Sequence, residues 1–462
     1  MSAHMTPDQF RRHGKELIDW IADYWETVDR HRIVSDIEPG AIRASLPANP
    51  PEQGEPFEAI LADLDQVVMP GITHWQSPGW FAYFPANVSF PAILGDLAAS
   101  GLGQQGMLWQ TSPATTEIES HVLDWLVDLL GMPSGWKTTG PGGGVLQMSA
   151  SDSTHTAIVI ARARRHGIDP SSMVVYASTQ AHSSIEKGAN VAGIGHVRLI
   201  DTDLTYALSP DALRDAVAAD RRAGLTPLFV CGALGTTATT AVDPLRAIGE
   251  VARAEDLWFH VDAAYAGSAL ICPEFRHQAN GVELADSFTF NPHKWLLTNF
   301  DCSVFWVADR RPLIETMRIV PPYLRNAPSD RGEVIDYRDW HVPLGRRFRA
   351  LKLLFVLRHY GAEGLRSYIR HHVELARGLS EQVEVHPRLE LVAPTVFGLV
   401  SFRHVDGDDA TARIVEAVNV TGTSYVVPST IDGKLFVRVA IGSTLTSDEH
   451  VDRLWKLIEA AA

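Results

Sequence analysis

Cysteine, positive charge and long apolar runs are all scarce in this sequence. The three cysteines, Cys231, Cys272 and Cys302, are far apart and odd in number, which argues against a disulfide framework and favours a reducing, cytoplasmic setting. The opening MSAHMTPDQF has no apolar core of the kind found in signal peptides. No apolar run approaches the roughly 20 residues that cross a bilayer, so we expect no membrane partner.

The charge balance restricts the possible partners further. Lys and Arg number 40 against 55 Asp and Glu, a formal net charge of −15. Because phosphate contacts need clustered Lys and Arg, we expect no nucleic-acid partner. The 19 histidines come without a Cys-x-x-Cys pair or a His-Glu-x-x-His motif, so we expect no metal site. The remaining composition, 45% hydrophobic and 21% charged, is typical of a globular protein.

The N-terminus predicts an amphipathic helix. Thr6 can cap it, Pro7 suits its first turn, and Gln9 stands where a capping box needs it. Such a helix could dock on its own chain or on another subunit, and its distance from any domain of its own favours another subunit. The apolar residues that recur at helical spacing are Phe10, Leu17, Ile18, Ile21, Tyr24 and Trp25.

Apolar strands alternate with amphipathic helices through the middle of the chain. The strand segments are MVVYAS, LFVCGALGTT, LWFHVDAAY and SFTF. This alternation predicts an α/β fold with a largely parallel sheet covered on both faces. Ligands of such sheets bind beyond the carboxyl ends of the strands, where His182, Thr237, Asp262 and Lys294 stand.

The C-terminal hundred residues predict a smaller α+β unit. GLVSFRH and KLFVRVAIG are typical of strands, and the residues from Thr446 to Glu449 predict a capping box for the last helix.

Lys294 follows a short strand in the segment DSFTFNPHKWLL. One interpretation is a surface lysine whose stem lies beside Trp295 while its amine stays in water. The other is a desolvated nucleophile, which loses its proton more easily and can form a Schiff base with a carbonyl.

A lysine, a carboxylate and an anion site on one sheet edge indicate pyridoxal 5′-phosphate. The lysine forms the imine, and the carboxylate pairs with the pyridine nitrogen. Ser149, Ala150 and Ser151 follow a glycine run and open a predicted helix, whose N-terminal N–H groups suit a phosphate. The alternative for this stretch is a dinucleotide loop, but GPGGGV lacks a clear preceding strand and the glycine spacing of that motif.

Several longer segments carry a family resemblance. The stretch HVDAAYAGSALICPEFRHQANGVELADSFTFNPHKWLLTNFDCS resembles the group II pyridoxal-phosphate decarboxylases, specifically the aromatic L-amino-acid decarboxylases. The resemblance extends to MPGITHWQSPGWFAYFPA, QAHSSIEKG, ALGTT and DYRDWHVPLGRRFRALK, and so covers nearly the whole chain. Compared with animal members the chain is shorter between Gly167 and Met173, which should shorten a surface excursion and leave the site intact.

The resemblance implies a fold and an assembly. The fold is the type I, aspartate aminotransferase-like α/β architecture, with a mostly parallel seven-stranded sheet flanked by helices. The expected divisions are an N-terminal helical dimerisation segment (1–85), a large cofactor-binding domain (86–358) and a small C-terminal α+β domain (359–462). The assembly is a homodimer with active sites at the subunit interface, and the N-terminal helix becomes an intersubunit element.

The resemblance also implies roles for individual residues. Lys294 resembles the Schiff-base lysine, Asp262 the partner of the pyridine nitrogen, and His182 the imidazole that stacks on the ring. Without the resemblance, His182 could equally be a core histidine with satisfied hydrogen bonds. The full cofactor-binding set is Ser149, Ala150, Ser151, His182, Thr237, Asp262, Ala264, Asn291, His293 and Lys294.

Tyr323 lies in VPPYLRNAPSDRGEVIDYRDW, a proline-broken polar stretch typical of a mobile active-site lid. By itself this tyrosine could be a structural loop residue. The resemblance makes it the proton donor to the carbanion left by decarboxylation, so that the catalytic set is Lys294, His182, Tyr323 and Asp262.

The resemblance also implies the residues of the substrate pocket. Some of the aromatic residues expected to line this pocket could equally belong to the ordinary hydrophobic core, while Gly345 favours a roomy pocket that suits an indole. Animal members carry an aliphatic residue and a phenylalanine where this chain has Gln105 and Met107, so the ring preference stays open. The predicted substrate-binding residues are Trp75, Tyr83, Phe84, Pro85, Ala86, Gln105, Met107, His182 and Gly345.

The implied activity is decarboxylation of tryptophan, 5-hydroxytryptophan, dopa, tyrosine or phenylalanine to the arylalkylamine and carbon dioxide. One alternative is an aldehyde synthase, in which the carbanion meets oxygen before a proton. Family members with phenylalanine at the position of Tyr323, or asparagine at that of His182, tend toward that reaction. The other alternative is a non-catalytic, cofactor-binding dimeric scaffold. A glutamate decarboxylase is disfavoured because the pocket segment is aromatic.

Replacing Tyr323 by Phe tests the predicted proton donor. Without the phenol proton, the carbanion should react with oxygen, and the product should shift from amine toward aldehyde, ammonia and peroxide. Carbon dioxide and peroxide measured together check this. If Tyr323→Phe still forms only amine, the assigned role is wrong.

Overall fold

The computed structural model describes residues 4–319, 327–331 and 333–462. Its central sheet has seven strands: β1 (Gly143–Gln147), β2 (Met173–Ser178), β3 (His196–Ile200), β4 (Thr226–Ala233), β5 (Trp258–Asp262), β6 (Ser287–Phe290) and β7 (Ser303–Val307). Their order is β1-β7-β6-β5-β4-β2-β3. The neighbours from β3 to β6 pair in parallel, and β7 runs antiparallel to both β6 and β1. The expectation of a mostly parallel seven-stranded sheet is confirmed.

Helices cover the sheet and extend to both ends of the chain. In chain order they are α1 (Pro7–Thr27), α2 (Ala41–Ser45), α3 (Phe57–Asp63), α4 (Phe90–Leu102), α5 (Pro113–Leu130), α6 (Ala150–Ala163), α7 (Ser184–Val191), α8 (Pro210–Arg222), α9 (Leu245–Ala254), α10 (Pro292–Trp295), α11 (Arg311–Met317), α12 (Ala327–Asp330), α13 (Ala350–Val385), α14 (Asp408–Val420) and α15 (Asp448–Ala461). None of the helices in the described ranges is long and apolar enough to cross a membrane.

The core lies in two layers, one on each face of the central sheet. In β2, Val174 and Tyr176 face the layer formed with α5, α9 and α13, while Val175 and Ala177 face the layer formed with α6 and α7. Successive side chains of a strand point to opposite faces, so a strand buried on both faces needs apolar residues throughout. This explains why MVVYAS is a continuous apolar run.

A second, antiparallel sheet lies in the C-terminal part of the chain. It consists of β8 (Leu389–Leu391), β9 (Leu399–His404), β10 (Val427–Ile431) and β11 (Lys434–Ala440), in the order β10-β11-β9-β8. Its core includes apolar residues of α14 and α15. The small α+β unit is therefore present, and α13 leads into it through a break in helical geometry at Gly361 (φ 62°, ψ 175°). The bounds of the three domains stay predictions.

The N-terminal helix forms as the sequence indicates. Thr6 and Gln9 form the predicted capping box, with a bond of 2.8 Å from the Thr6 N–H to Gln9 Oε1. The apolar side of α1 stays largely uncovered: Phe10 is 61% exposed and Ile18 is 46% exposed. The described residues of this chain therefore do not bury the apolar side of α1.

The predicted cap of the last helix is wrong by one residue. The helix begins at Asp448, and Ser447 with His450 forms the capping box, with 3.1 Å between the Ser447 N–H nitrogen and His450 Nδ1. Thr446 lies one residue before the N-cap, and its hydroxyl donates to the carbonyl of Pro78 at 2.8 Å. A distant carbonyl thus competes for the side chain that local sequence would assign to the cap.

Candidate active site

A cleft lies at the carboxyl edge of the central sheet, with about 750 Å³ of empty space that is partly open to solvent. The turns after β4, β5 and β6 line it, together with the start of α6 and the segment before α7. All ten residues of the predicted cofactor set lie along it: Ser149, Ala150, Ser151, His182, Thr237, Asp262, Ala264, Asn291, His293 and Lys294. The structure therefore brings together residues that are up to 145 positions apart in the sequence.

Lys294 lies on the one-turn helix α10, directly after β6. Its side chain is half-buried, and its Nζ is 5.3 Å from the centroid of the Phe84 ring. Removal from water lowers the pKa of Lys294; the positive charge of Arg438 adds to this, and the negative charge of Asp262 opposes it. Within the described ranges no carboxylate forms an ion pair with this amine. The environment fits a desolvated nucleophile and does not fit an amine that extends into bulk water.

Asp262 ends β5, next to Ala233 at the end of β4. Its Oδ1 accepts the N–H of Ala264 at 2.9 Å, and its main-chain carbonyl accepts the N–H of Leu234 at 2.8 Å. These two bonds fix the orientation of the carboxylate at the cleft. A negative charge held in this way can keep a ligand nitrogen protonated.

The start of α6 provides an anion site. Ser149 is the N-cap, and its Oγ accepts the N–H of Asp152 at 3.2 Å. The next two N–H groups, of Ala150 and Ser151, belong to the first turn and have no carbonyl within the helix to bond to. Together with the helix dipole they suit a phosphate.

His182 borders the cleft with an exposed ring, so it is not the satisfied core histidine of the alternative interpretation. Its Nδ1 accepts the N–H of Ser184 at 3.1 Å, which places the proton of the neutral ring on Nε2. Desolvation lowers the pKa of His182; the Asp262 carboxylate opposes this and Lys294 adds to it. The net effect of the surroundings favours the neutral form of the ring.

His293 is held differently. Its Nδ1 accepts the N–H of Cys302 at 3.0 Å, and burial lowers its pKa to about 3, with a further contribution from Lys294. The neutral imidazole thus connects α10, which follows the end of β6, to the residue that precedes β7.

Some cleft residues were missed from the sequence. Tyr265 is buried and stacks between Phe84 and Trp295, with ring centroids 4.0 and 4.7 Å away. Phe300 is 65% exposed at the cleft, with its ring 4.6 Å from that of His293. Both lie within the longest segment that carries the family resemblance, which was the available signal for them.

The predicted substrate residues fall into separate places. Phe84 and His182 line the cleft. Trp75 and Tyr83 stack on each other at 5.6 Å, outside the cleft lining and largely open to solvent. Ala86 lies near them, where its carbonyl accepts the side-chain amide of Gln76 at 2.7 Å, and Pro85 is likewise not a lining residue of the cleft.

Gln105, Met107 and Gly345 form a third group. Gln105 Oε1 accepts the N–H of Arg346 at 2.7 Å, and a Cβ atom at Gly345 would lie 3.1 Å from Gln105 Nε2. The carbonyl of Met107 accepts the N–H of Arg338 at 3.1 Å. None of the three lines the cleft of its own chain.

Two further predictions concern the proton donor and a metal site. Tyr323, the predicted proton donor, lies outside the described residues. In the described ranges, no group of three or more His, Cys, Asp or Glu is placed to hold a metal ion.

Comparisons with known proteins agree with this geometry. The family model for the pyridoxal-dependent decarboxylase conserved domain matches residues 39–405. The chain is 44% identical to phenylacetaldehyde synthase of Arabidopsis thaliana (99% of this chain, 96% of that protein) and 43% identical to aromatic-L-amino-acid decarboxylase of Bos taurus (99% and 97%). It superposes on the crystal structure of the Oryza sativa enzyme TDC with PLP and tryptamine with a TM-score of 0.97 at 39% identity, covering 100% of this chain and 99% of that chain.

The match of both sequence and fold over essentially the full length identifies the family. The fold is the type I architecture, the cofactor is pyridoxal 5′-phosphate, and the reaction class is that of a carboxy-lyase. The chain belongs to the pyridoxal-dependent decarboxylases.

Proposed function

We propose that this enzyme decarboxylates aromatic L-amino acids to the corresponding arylalkylamine and carbon dioxide. The observation that carries the proposal is the single cleft that joins the desolvated Lys294, the fixed Asp262 carboxylate and the helix start at Ser149. The similarity to the bovine aromatic-L-amino-acid decarboxylase supports the choice of substrate class.

The residues present fit pyridoxal 5′-phosphate. The first turn of α6 would hold the phosphate, Asp262 the pyridine nitrogen, and Lys294 the aldehyde carbon. Asn291 Oδ1 is buried at the cleft without a hydrogen-bond partner among the described residues, as expected of a group that a ligand completes. When bound, the cofactor supplies an electron-accepting ring that takes up the electrons of the bond to the departing carboxylate.

The side chains of the chain then have distinct tasks. Lys294, with its lowered pKa, has a larger neutral fraction than an ordinary lysine and is ready to bond covalently to a carbonyl carbon. Asp262 holds a proton at the ring nitrogen, and this stabilises the charge that develops on decarboxylation. His182, neutral with its proton on Nε2, borders the same space. The assignment of Tyr323 as proton donor at Cα rests on the sequence resemblance.

A homodimer is part of the proposal. The exposed apolar side of α1 continues onto α4, where Leu94, Leu97 and Leu102 are exposed and Phe90 contacts Trp25 of α1 at a ring distance of 5.2 Å. An exposed apolar surface that continues over two helices is typical of a subunit interface. Gln105 and Met107 follow α4 closely and do not line the cleft of their own chain, which fits the proposal that they belong to the site of a second copy docked on this surface.

The cytoplasm is the proposed location. Cys231, Cys272 and Cys302 are all buried and free of disulfides. Free cysteines fit a reducing compartment.

The aldehyde synthase remains the second candidate because of the 44% identity to phenylacetaldehyde synthase. The presence of both Tyr323 and His182 favours the decarboxylase. A non-catalytic scaffold would not require a desolvated lysine and a fixed carboxylate in one cleft.

Turnover of five amino acids by the purified, cofactor-loaded enzyme tests the proposed reaction. With tryptophan, 5-hydroxytryptophan, dopa, tyrosine and phenylalanine, we expect carbon dioxide and amine in equal amounts without peroxide. Carbon dioxide with matching peroxide would establish the aldehyde synthase instead. No product from any of the five would contradict the proposed substrate class.

Replacing Lys294 by Ala tests the nucleophile. Borohydride reduction should fix the cofactor to the wild-type peptide that contains Lys294, and mass spectrometry should find no such adduct in Lys294→Ala. Carbon dioxide release should fall on the order of 10³-fold, a typical loss for a group that acts at the reacting atoms. Lys187→Ala, at an exposed lysine of α7, is the matched control and should behave like wild type. An adduct that persists in Lys294→Ala would disprove the assignment.

Replacing Ser149 by Ala tests the phosphate site. Loss of this N-cap should lower the free energy of unfolding by about 1 kcal/mol. Because the same residue positions the first turn against the phosphate, the Kd for pyridoxal 5′-phosphate should rise several-fold. Ser209→Ala removes a similar N-cap from α8, where the Ser209 Oγ accepts the N–H of Ala212 at 3.3 Å. It should cost similar stability and leave the Kd unchanged; equal Kd values in the two variants would refute the proposed phosphate site.

A further inference from the structure

Asn87 is a buried polar residue outside the cleft lining, in the segment that leads into α4. It is 1% exposed and belongs to none of the sequence-predicted sites. A buried amide has to satisfy its donors and acceptors within the protein, so its hydrogen bonds show what it holds in place.

Two of these bonds lie on either side of Lys294. The main-chain N–H of Asn87 donates to the carbonyl of His293 at 2.9 Å. Its side-chain Oδ1 accepts the N–H of Leu297 at 3.1 Å. A single residue therefore fixes the main chain immediately before Lys294 and three residues after it.

Leu297 needs such support. Its φ of 52° places a branched residue in the left-handed region, which is unfavourable for residues other than glycine. Its N–H bonds to Asn87, and its carbonyl accepts the hydroxyl of Ser89 at 2.6 Å. Asn87 and Ser89 thus satisfy both main-chain groups of a strained residue at the end of the lysine segment.

Asn87 also joins the lysine segment to the C-terminal part of the chain. Its Nδ2 donates to the carbonyl of Gly442, just beyond β11, at 2.8 Å. The hydroxyl of Tyr368, on α13, lies 3.0 Å from both Asn87 Oδ1 and the Gly442 carbonyl. The side chain of Asn87 therefore bonds at the same time to the segment that carries Lys294 and to the C-terminal part of the chain.

We propose that Asn87 is a positioning residue for Lys294, which fixes the direction of approach of the amine to the cofactor by holding both flanks of α10. The inference rests on the proposed role of Lys294 as the cofactor-binding lysine. Asn87 itself touches neither cofactor nor substrate and acts through the main chain of residues 293–297.

Asn87→Ala removes the side-chain bonds to Leu297 and Gly442 but keeps the main-chain bond to His293, and so tests the hold on the Leu297 flank against a matched control. Asn419 makes the same pair of side-chain bonds to main chain, donating to the Val426 carbonyl at 3.0 Å and accepting the Val426 N–H at 2.9 Å, but lies in the C-terminal unit. Both variants should lower Tm. Only Asn87→Ala should raise the Kd of pyridoxal 5′-phosphate, by about tenfold, and lower kcat by a similar factor while KM stays within about twofold.

Two further outcomes keep the test decisive. Ser89→Ala removes only the bond to the Leu297 carbonyl, so it should fold even if Asn87→Ala does not, and it should raise the Kd in the same direction by a smaller factor. If Asn87→Ala and Ser89→Ala leave Kd and kcat at the level of Asn419→Ala, Asn87 is merely structural and the inference is wrong. Failure of the lysine assignment would appear separately, as a borohydride-fixed adduct that persists in Lys294→Ala.

Discussion

An amine that must lose its proton easily has to be removed from water, and removing Lys294 from water constrains the structure around it. A lysine on an ordinary surface helix would remain solvated and protonated. Here the lysine follows a strand of a sheet that is covered on both faces, and the aromatic rings of Phe84 and Tyr265 surround the place where the strand ends. The negative charge of Asp262, at the end of the neighbouring strand, partly offsets the effect of burial on the pKa of Lys294.

The parallel sheet is the means by which these groups meet. Every strand except β7 has its carboxyl end at one edge, so the turns after β4, β5 and β6 contribute side chains to one cleft although helices separate these strands in sequence. The start of α6 adds N–H groups at the same edge because the strand β1 that precedes it runs in the same direction as β4, β5 and β6. The three elements would hold the phosphate, the ring nitrogen and the aldehyde of the cofactor in the proposed site.

The order of the site depends on groups that take no part in the chemistry. Helix α10 has only four residues, too few to hold itself in place, and its position comes from bonds made by Asn87, Ser89 and His293. The Asn87 amide connects this segment to the C-terminal unit, and the open apolar side of α1 and α4 is suited to a second copy. In the proposed homodimer, the predicted substrate residues Gln105 and Met107, which do not line the cleft of their own chain, would belong to the site of the partner subunit.

The sequence alone predicted the family, the strands β2, β4, β5 and β6, and a cofactor set whose members all line one cleft, but it did not predict β1, β3 or β7. The apolar runs predicted β2 and β6 with the same ends that the structure has, because strands buried on both faces leave a pattern in every residue. Local pattern failed where distant groups compete: Thr446 bonds to Pro78 instead of capping α15, and Asn87 reaches Leu297 across 210 positions. Only the tertiary structure placed Tyr265 and Phe300 at the cleft, separated Trp75 and Gln105 from it, and showed that Asn87 holds both flanks of Lys294. Such contacts depend on how the chain folds back on itself, and hydrogen bonds between residues far apart in sequence leave no periodic trace in it.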